Sequence, residues 1–304
     1  PAAELTINLA YAPEGPLTDE NLKFMFISLS YQDYIGLQFI ADQGAYDSIY
    51  LEVVQSTWEN GAFADVTSTL EPGEYYGYKF FEIGVPSWSM TETISVVLCG
   101  VKDGVVYQGE TKTTTIEELS ISFLANNAAS KPKDAKVIVD MLNYGAAVQN
   151  QHNHNVENLA NANVAPYSSY GTSTIPDATT AGTDTNGTVL SYSISMMSRV
   201  ELQWILGGDA SNYELRYTVD GVESTVPYSE FSEYYGYKVA CLGIKADCFR
   251  KTFEAGIYNV TTGELVSKTY TFSVEAFAEQ LYSSQEAVVV AMMRYGDAVS
   301  ALIA

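Results

Sequence analysis

The chain has 304 residues, with 37 acidic side chains against 15 basic ones and a formal net charge of −22 at pH 7. That balance repels a nucleic-acid backbone or an anionic lipid surface and leaves a neutral ligand, a cation or a basic partner. With 47% apolar and 12% aromatic residues the chain is globular in composition and long enough for two ordinary domains, and it lacks the run of about 18 apolar residues that a membrane-spanning helix needs.

The opening PAAELTINLA carries neither a basic stretch nor an apolar core, so no signal peptide is expected in it. Strict alternation then begins. Met25, Ile27, Leu29 and Tyr31, followed by Ile35, Leu37 and Phe39, share one parity, with Ser28, Ser30 and Gln38 between them. Period two with one apolar face predicts half-buried strands of an antiparallel sheet, with a tight break at Gln32-Asp33. A further strand is expected around Ile49 to Val54. After EYYGYK (Glu74 to Lys79) come an extended stretch from Thr93 to Leu98 and a turn at Lys102-Asp103-Gly104. The period then changes. Glu117 to Asn126 reads as a short helix, and Val137, Ile138, Met141, Leu142, Gly145 and Val148 recur at helical spacing.

The same order returns later in the chain. Leu190, Tyr192, Ile194 and Met196, then Val200, Leu202 and Trp204, alternate with Ser193, Ser195 and Gln203, with a break at Ser198-Arg199. Tyr213 to Val219 leads into Asp220-Gly221, a hairpin-turn signal. EYYGYK recurs at Glu233 to Lys238, followed by Thr252 to Ile257, a turn at Thr261-Thr262-Gly263, a short helix from Val274 to Tyr282, a turn, and a long helix carrying Val288, Val289, Met292, Met293, Gly296 and Val299. The expected fold is therefore α+β: two tandem antiparallel β-sandwich-like units, each followed by a helical pair packed on a sheet. The first unit covers 1–150 and the second 188–304, and the Asn-, Ser-, Thr- and Gly-rich stretch 151–187 is a linker or long surface connection with a boundary near Asn163.

EYYGYKFFEIG with WSMTETISVVL after it, then VIVDMLNYGAAVQ and VENLANANV, resembles the repeated module of large secreted surface proteins of gut Gram-positive anaerobes, and EYYGYKVACLG through VVVAMMRYGDAVS is a more divergent match. Some proteins of that kind hold polysaccharide, starch included, at the cell wall. The resemblance implies an extracellular, cell-surface, non-catalytic role.

On the duplication argument, residues shared by both copies belong to architecture and function lies where the copies differ. The Gly of the hexapeptide is expected at a bulge or at a close approach by the long helix, whose Tyr144-Gly145 and Tyr295-Gly296 offer a flat contact. Trp204 aligns with Phe39 and is assigned to the interior. Trp58 and Trp88 have no counterpart, and each is either a sugar-stacking platform on a loop or a plug for the rim of its own core. Tyr167 and Tyr170 in the connection, and the outward Gln38 and Gln203, complete the candidate ligand-binding set.

Asp184-Thr185-Asn186-Gly187 opens like a calcium loop but lacks the closing glutamate, and His152 with His154 is a lone HxH, so no metal and no cofactor are expected. Cys99, Cys241 and Cys248 form no disulfide framework and leave the compartment undecided. Nucleophile-elbow, phosphate-loop and dinucleotide motifs are absent from the sequence, so the chain is not expected to be an enzyme. The expected function is carbohydrate binding through exposed aromatic rings, with an α-glucan such as starch as ligand. The alternative is a structural or adhesive spacer that binds another cell-surface protein. Any anchoring device is expected outside this stretch.

Overall fold

The computed structural model describes residues 15–59, 61–165, 187–196 and 199–304. The first repeat runs through β1 (Leu17–Thr18), β2 (Phe24–Ser30), β3 (Gly36–Ala41), β4 (Ser48–Glu59), β5 (Ala62–Leu70), β6 (Gly73–Tyr75), β7 (Tyr78–Gly84), a 3-10 turn (Ser87–Ser89), β8 (Ile94–Lys102), β9 (Val105–Gln108), β10 (Lys112–Thr114), α1 (Ile116–Asn127) and α2 (Pro132–His152). The second comprises β11 (Val189–Met196), β12 (Val200–Leu206), β13 (Tyr213–Val219), β14 (Val222–Pro227), β15 (Ser232–Tyr234), β16 (Tyr237–Ile244), a 3-10 turn (Ala246–Cys248), β17 (Phe253–Asn259), β18 (Tyr270–Phe272) and α3 (Val274–Ile303).

Sheet order carries the duplication from sequence into topology. One sheet runs β2-β3-β7-β6 and its counterpart β11-β12-β16-β15. The other runs β1-β9-β8-β4-β5, with β10 also on β8, against β14-β13-β17-β18 in the second repeat. The ladders of β4 with β5 and β8, and of β13 with β14 and β17, are antiparallel. Parity in the central strands follows the pattern: Leu37 and Phe39, and Leu202 and Trp204, are sealed from solvent. Edge strand β2 departs from it, since Phe24 lies against Phe39 at 5.1 Å while Met25, expected on the core side, is exposed. The departure is partial, for Ile27 and Leu29 stay half-buried on either side of the exposed Ser28 while Phe26 is exposed, and an edge strand has only one neighbour to fix its phase.

The compact units are partitioned differently from the repeats. One comprises Pro1–Ile27, Gln38–Glu82 and Thr93–Thr114. The other comprises Ser28–Leu37, Ile83–Glu92 and Thr115–Ala304, so the helices of the first repeat belong with the whole second repeat. The first unit has a core of Phe39, Ile49, Leu51, Val53, Phe81, Ile94, Val96 and Leu98. In the second, Trp204 packs with Tyr270 and Phe272, and α2 and α3 bury Met141, Leu142, Tyr144, Met292, Met293 and Tyr295.

Helix boundaries have local causes. Thr115 caps α1 in a reciprocal box, its hydroxyl accepting from the Glu118 amide at 2.9 Å while its own amide donates to the Glu118 carboxylate at 3.2 Å. Pro132 at the first turn of α2 separates it from α1, and Asn153 ends α2 in the left-handed conformation at φ 54°. The second repeat has no such break. Its expected short helix, turn and long helix form one 30-residue helix, because Ser283, Ser284 and Gln285 are polar but neither Gly nor Pro.

The first thirteen residues after α2 are not a loose linker. Gln149, buried on α2, accepts from the Ala160 amide at 2.8 Å and donates to the Asn158 carbonyl at 3.1 Å. Asn161 donates to Asn143 at 3.0 Å and Asn163 to Glu117 at 2.7 Å. The asparagines of VENLANANV thus strap residues 153–165 against the helices, with Ala160 and Val164 buried beneath.

Candidate functional site

Both hexapeptides are hairpin tips. In the first, Glu74 pairs with Lys79 and Tyr75 with Tyr78 across β6 and β7, leaving Tyr76-Gly77 as a two-residue loop. In the second, Glu233 pairs with Lys238 and Tyr234 with Tyr237 across β15 and β16 around Tyr235-Gly236. Tyr76 and Gly77 have φ of 48° and 86°, and Tyr235 and Gly236 have 48° and 81°. Positive φ at both central positions is the type I′ turn, whose twist matches that of the flanking strands.

This overturns the expected bulge or helix contact at the hexapeptide glycine: a Cβ added at Gly77 or Gly236 meets nothing within 4 Å. The helix glycines do make a close approach, but to the 3-10 turns. A Cβ on Gly145 would lie 2.9 Å from the Ser87 carbonyl oxygen, and one on Gly296 at 2.9 Å from that of Ala246.

The tips carry the most exposed large hydrophobic side chains of the described residues. Tyr76 is 88% and Tyr235 86% exposed, with Tyr75, Tyr78, Tyr234 and Tyr237 exposed beside them. Tyr75 and Tyr76 meet edge to face at 4.8 Å, as do Tyr234 and Tyr235 at 4.5 Å. One strand position behind each ring cluster is a cross-strand ion pair, Glu74 with Lys79 and Glu233 with Lys238 at 3.2 Å. Such exposed pairs contribute about 0–1 kcal/mol to stability, and they also put both a carboxylate and an ammonium beside the rings. Each tip is a stiff two-residue turn that holds phenol rings in water with donors and acceptors alongside.

The residues singled out from the sequence are distributed otherwise. Trp88 is 8% exposed and sits in the 3-10 turn Ser87–Ser89, packed on the rings of His152 at 5.5 Å and His154 at 5.0 Å. Too little of its indole reaches solvent to stack on a sugar, so it is the plug of the two readings. Trp58 lies within β4 rather than on a loop, half-buried and edge to face with Phe63 of β5 at 5.0 Å. Gln38 donates to Glu82 at 2.7 Å and Gln203 to Glu201 at 3.2 Å, both on half-buried strand faces. Tyr167 and Tyr170 lie outside the described residues, as does most of Asp184 to Gly187. Of the described candidates, Gln38 and Trp58 belong to one compact unit and Trp88 and Gln203 to the other.

His152 and His154 are neighbours at 5.8 Å between ring centroids, and burial, aided by His152, pushes the His154 pKa down. Among the described residues no group of three or more His, Cys, Asp or Glu side chains could hold a metal ion, the three cysteines are free, and no helix is long and apolar enough to cross a membrane.

The tyrosine tips were open to discovery from the sequence by one signal. EYYGYK places opposite charges five residues apart around a central Tyr-Gly, the spacing of a two-residue hairpin with Glu facing Lys.

No family model matches the chain, and no curated protein matches it. Among solved structures, a two-domain fibronectin type-III segment from chicken tenascin is similar to 82% of this chain over 98% of its own length, at 9% identity and a TM-score of 0.20. At that score the likeness carries no argument about function.

Proposed function

We propose that the chain is a non-catalytic carbohydrate-binding part of a bacterial cell-surface protein, and that its ligand is an α-glucan such as starch. The observation that supports this reading is the pair of tyrosine tips. A pyranose ring offers an apolar C–H face that stacks on a phenol and a rim of hydroxyls that the tyrosine OH groups and the adjacent Glu–Lys pair can meet. The sequence resemblance to modules of large secreted surface proteins, some of which hold starch, supports the choice of α-glucan. A glutamate joined to lysine supports a binding role over glycoside hydrolysis, which requires two carboxyl groups flanking the bond. Two tips on one chain raise retention on a polymer well above that of either alone where both reach it.

The test is sedimentation of the chain with insoluble starch, cellulose and chitin. Retention on starch is expected, falling at least about tenfold when Tyr76→Ala and Tyr235→Ala are combined, and less for each single change. Absence of retention on every polysaccharide, or retention indifferent to the double change, rejects the reading. The first of these outcomes, together with capture of a cell-surface protein by the same tyrosines, would favour an adhesive spacer.

A further inference from the structure

The two long helices differ where buried charge is concerned. VIVDMLNYGAAV of α2 and VVVAMMRYGDAV of α3 are copies, and in them Asp140 answers to Ala291, Asn143 to Arg294 and Ala146 to Asp297. The odd residues Asp140, Asn143 and Arg294 line one cleft of about 400 Å³ between α2, α3 and the asparagine strap, which adds Leu159 and Asn161. Its size is that of a small-ligand pocket.

Asp140 is 1% exposed. Lys136, one helical turn earlier, donates to its Oδ2 at 2.7 Å, while its Oδ1 is buried without a hydrogen-bond partner. Nε of Arg294 is likewise buried without a partner. Asn143 accepts from Asn161 through Oδ1, which leaves its amide hydrogens for another acceptor. Orphaned buried polar atoms are few in native proteins, and here the two residues that carry an orphaned acceptor and an orphaned donor line one cavity.

We infer that this cleft binds a small uncharged polyol, a monosaccharide or the end of a short oligosaccharide. Once the Asp140 and Arg294 side chains turn their buried atoms toward the cleft, a hydroxyl can donate to Asp140 Oδ1, and hydroxyl oxygens can accept from Arg294 Nε and the Asn143 amide. Leu159 and the alanines of the helix walls offer the apolar contact that a sugar's C–H groups require. An anion would meet the Asp140 carboxylate and a cation the Arg294 guanidinium, so the paired opposite charges select against either. Burial raises the Asp140 carboxyl's pKa and Lys136 only partly offsets it, as expected of a charge kept in place at a cost to stability. The site is independent of the tyrosine tips.

Calorimetric titration of the whole chain with D-glucose, maltose and, as a zwitterion control, glycine tests this. A dissociation constant on the order of a millimolar is expected for a sugar of about a dozen heavy atoms held by a few hydrogen bonds. Asp140→Asn, which keeps the shape and removes the carboxylate acceptor, should weaken it about tenfold or more. Ala287→Trp, at an exposed position on the cleft wall, should abolish it without touching a polar group, and decides the matter should Asp140→Asn fail to fold. All of these titrations are made in the combined Tyr76→Ala and Tyr235→Ala background, so that sugar held at the tips adds no heat and failure of the cleft is distinct from failure of the tips. No saturable binding of either sugar, binding that survives Ala287→Trp, or binding of glycine in place of sugar overturns the inference.

Discussion

Tyr76 and Tyr235 occupy the left-handed region, where an L side chain other than Asn, Asp or Gly costs roughly 1–2 kcal/mol. Both are nearly free of packing except for one edge-to-face neighbour, so asparagine would serve the turn better and lose little. Tyr76→Asn is therefore expected to leave the unfolding free energy measured in urea unchanged or raise it by up to about 1 kcal/mol, while starch retention falls. Reduced stability from that change would show the ring to be structural. Residue identity was the part of the site hardest to read in the sequence. Treating shared residues as architecture keeps Trp88 open as a platform and assigns the hexapeptide to structure, whereas the hairpin needs only φ tolerance and the exposed rings are additions to it. Trp88 lies instead against His154, whose pKa burial depresses below the usual 6.5. The unfolded chain then takes up the proton first as pH falls. Stability from this group is full above about pH 6.5 and declines below it until the folded pKa is passed. The unfolding free energy of the native chain should thus drop more between pH 7.5 and 5 than that of His154→Phe, and equal slopes would contradict the burial argument.

At the scale of elements, strands and helices were legible because periods of two and 3.6 record which face is buried, and Asp220-Gly221 and Asp103-Gly104 are indeed positive-φ turns. The helix break expected in the second repeat is absent because a polar stretch alone does not make a turn: polarity is compatible with helix, and only Gly or Pro opposes it strongly. Gly145 and Gly296 show the converse case, glycines inside helices that are retained for packing. Alanine is favoured over glycine in a helix by about 1 kcal/mol. Here its methyl group would sit 2.6 Å from Met90 Sδ and 2.9 Å from the Ser87 carbonyl oxygen at position 145. The thioether can turn aside, but the backbone oxygen moves only with the whole 3-10 turn. Gly145→Ala is accordingly expected to destabilise by about 1–3 kcal/mol in urea unfolding in spite of propensity, and a stabilised variant would mean that the turn is not tied to α2.

On the scale of the whole molecule, the duplication predicts more than two similar sheets. Within the compact unit that holds both long helices, each repeat's first hairpin turn is received by the other's helix. Tyr144 OH donates to the Met196 carbonyl at 2.9 Å, and the equivalent Tyr295 OH donates to the Tyr31 carbonyl. The two rings stack at 6.1 Å with planes 11° apart. Neither the reciprocity nor the compact partition could be read from the sequence, because periodicity reports which face is covered and not what covers it. The exchange is unequal in one respect. Met196 O also accepts from Ser87 Oγ at 3.2 Å, so Tyr144→Phe leaves that carbonyl a donor, whereas among the described residues no other side chain donates to Tyr31 O. Tyr144→Phe is expected to cost about 0.5–1.5 kcal/mol, and Tyr295→Phe, by leaving an acceptor unmet, about 1–3 kcal/mol. Since the stacked rings share one contact, the double variant should depart from additivity by about 0.5 kcal/mol or more. Urea unfolding of the four chains measures the cycle. Equal single losses that simply sum would mean that the two tyrosines act as separate anchors, and the reciprocal pair would then be a likeness of shape without a shared energy.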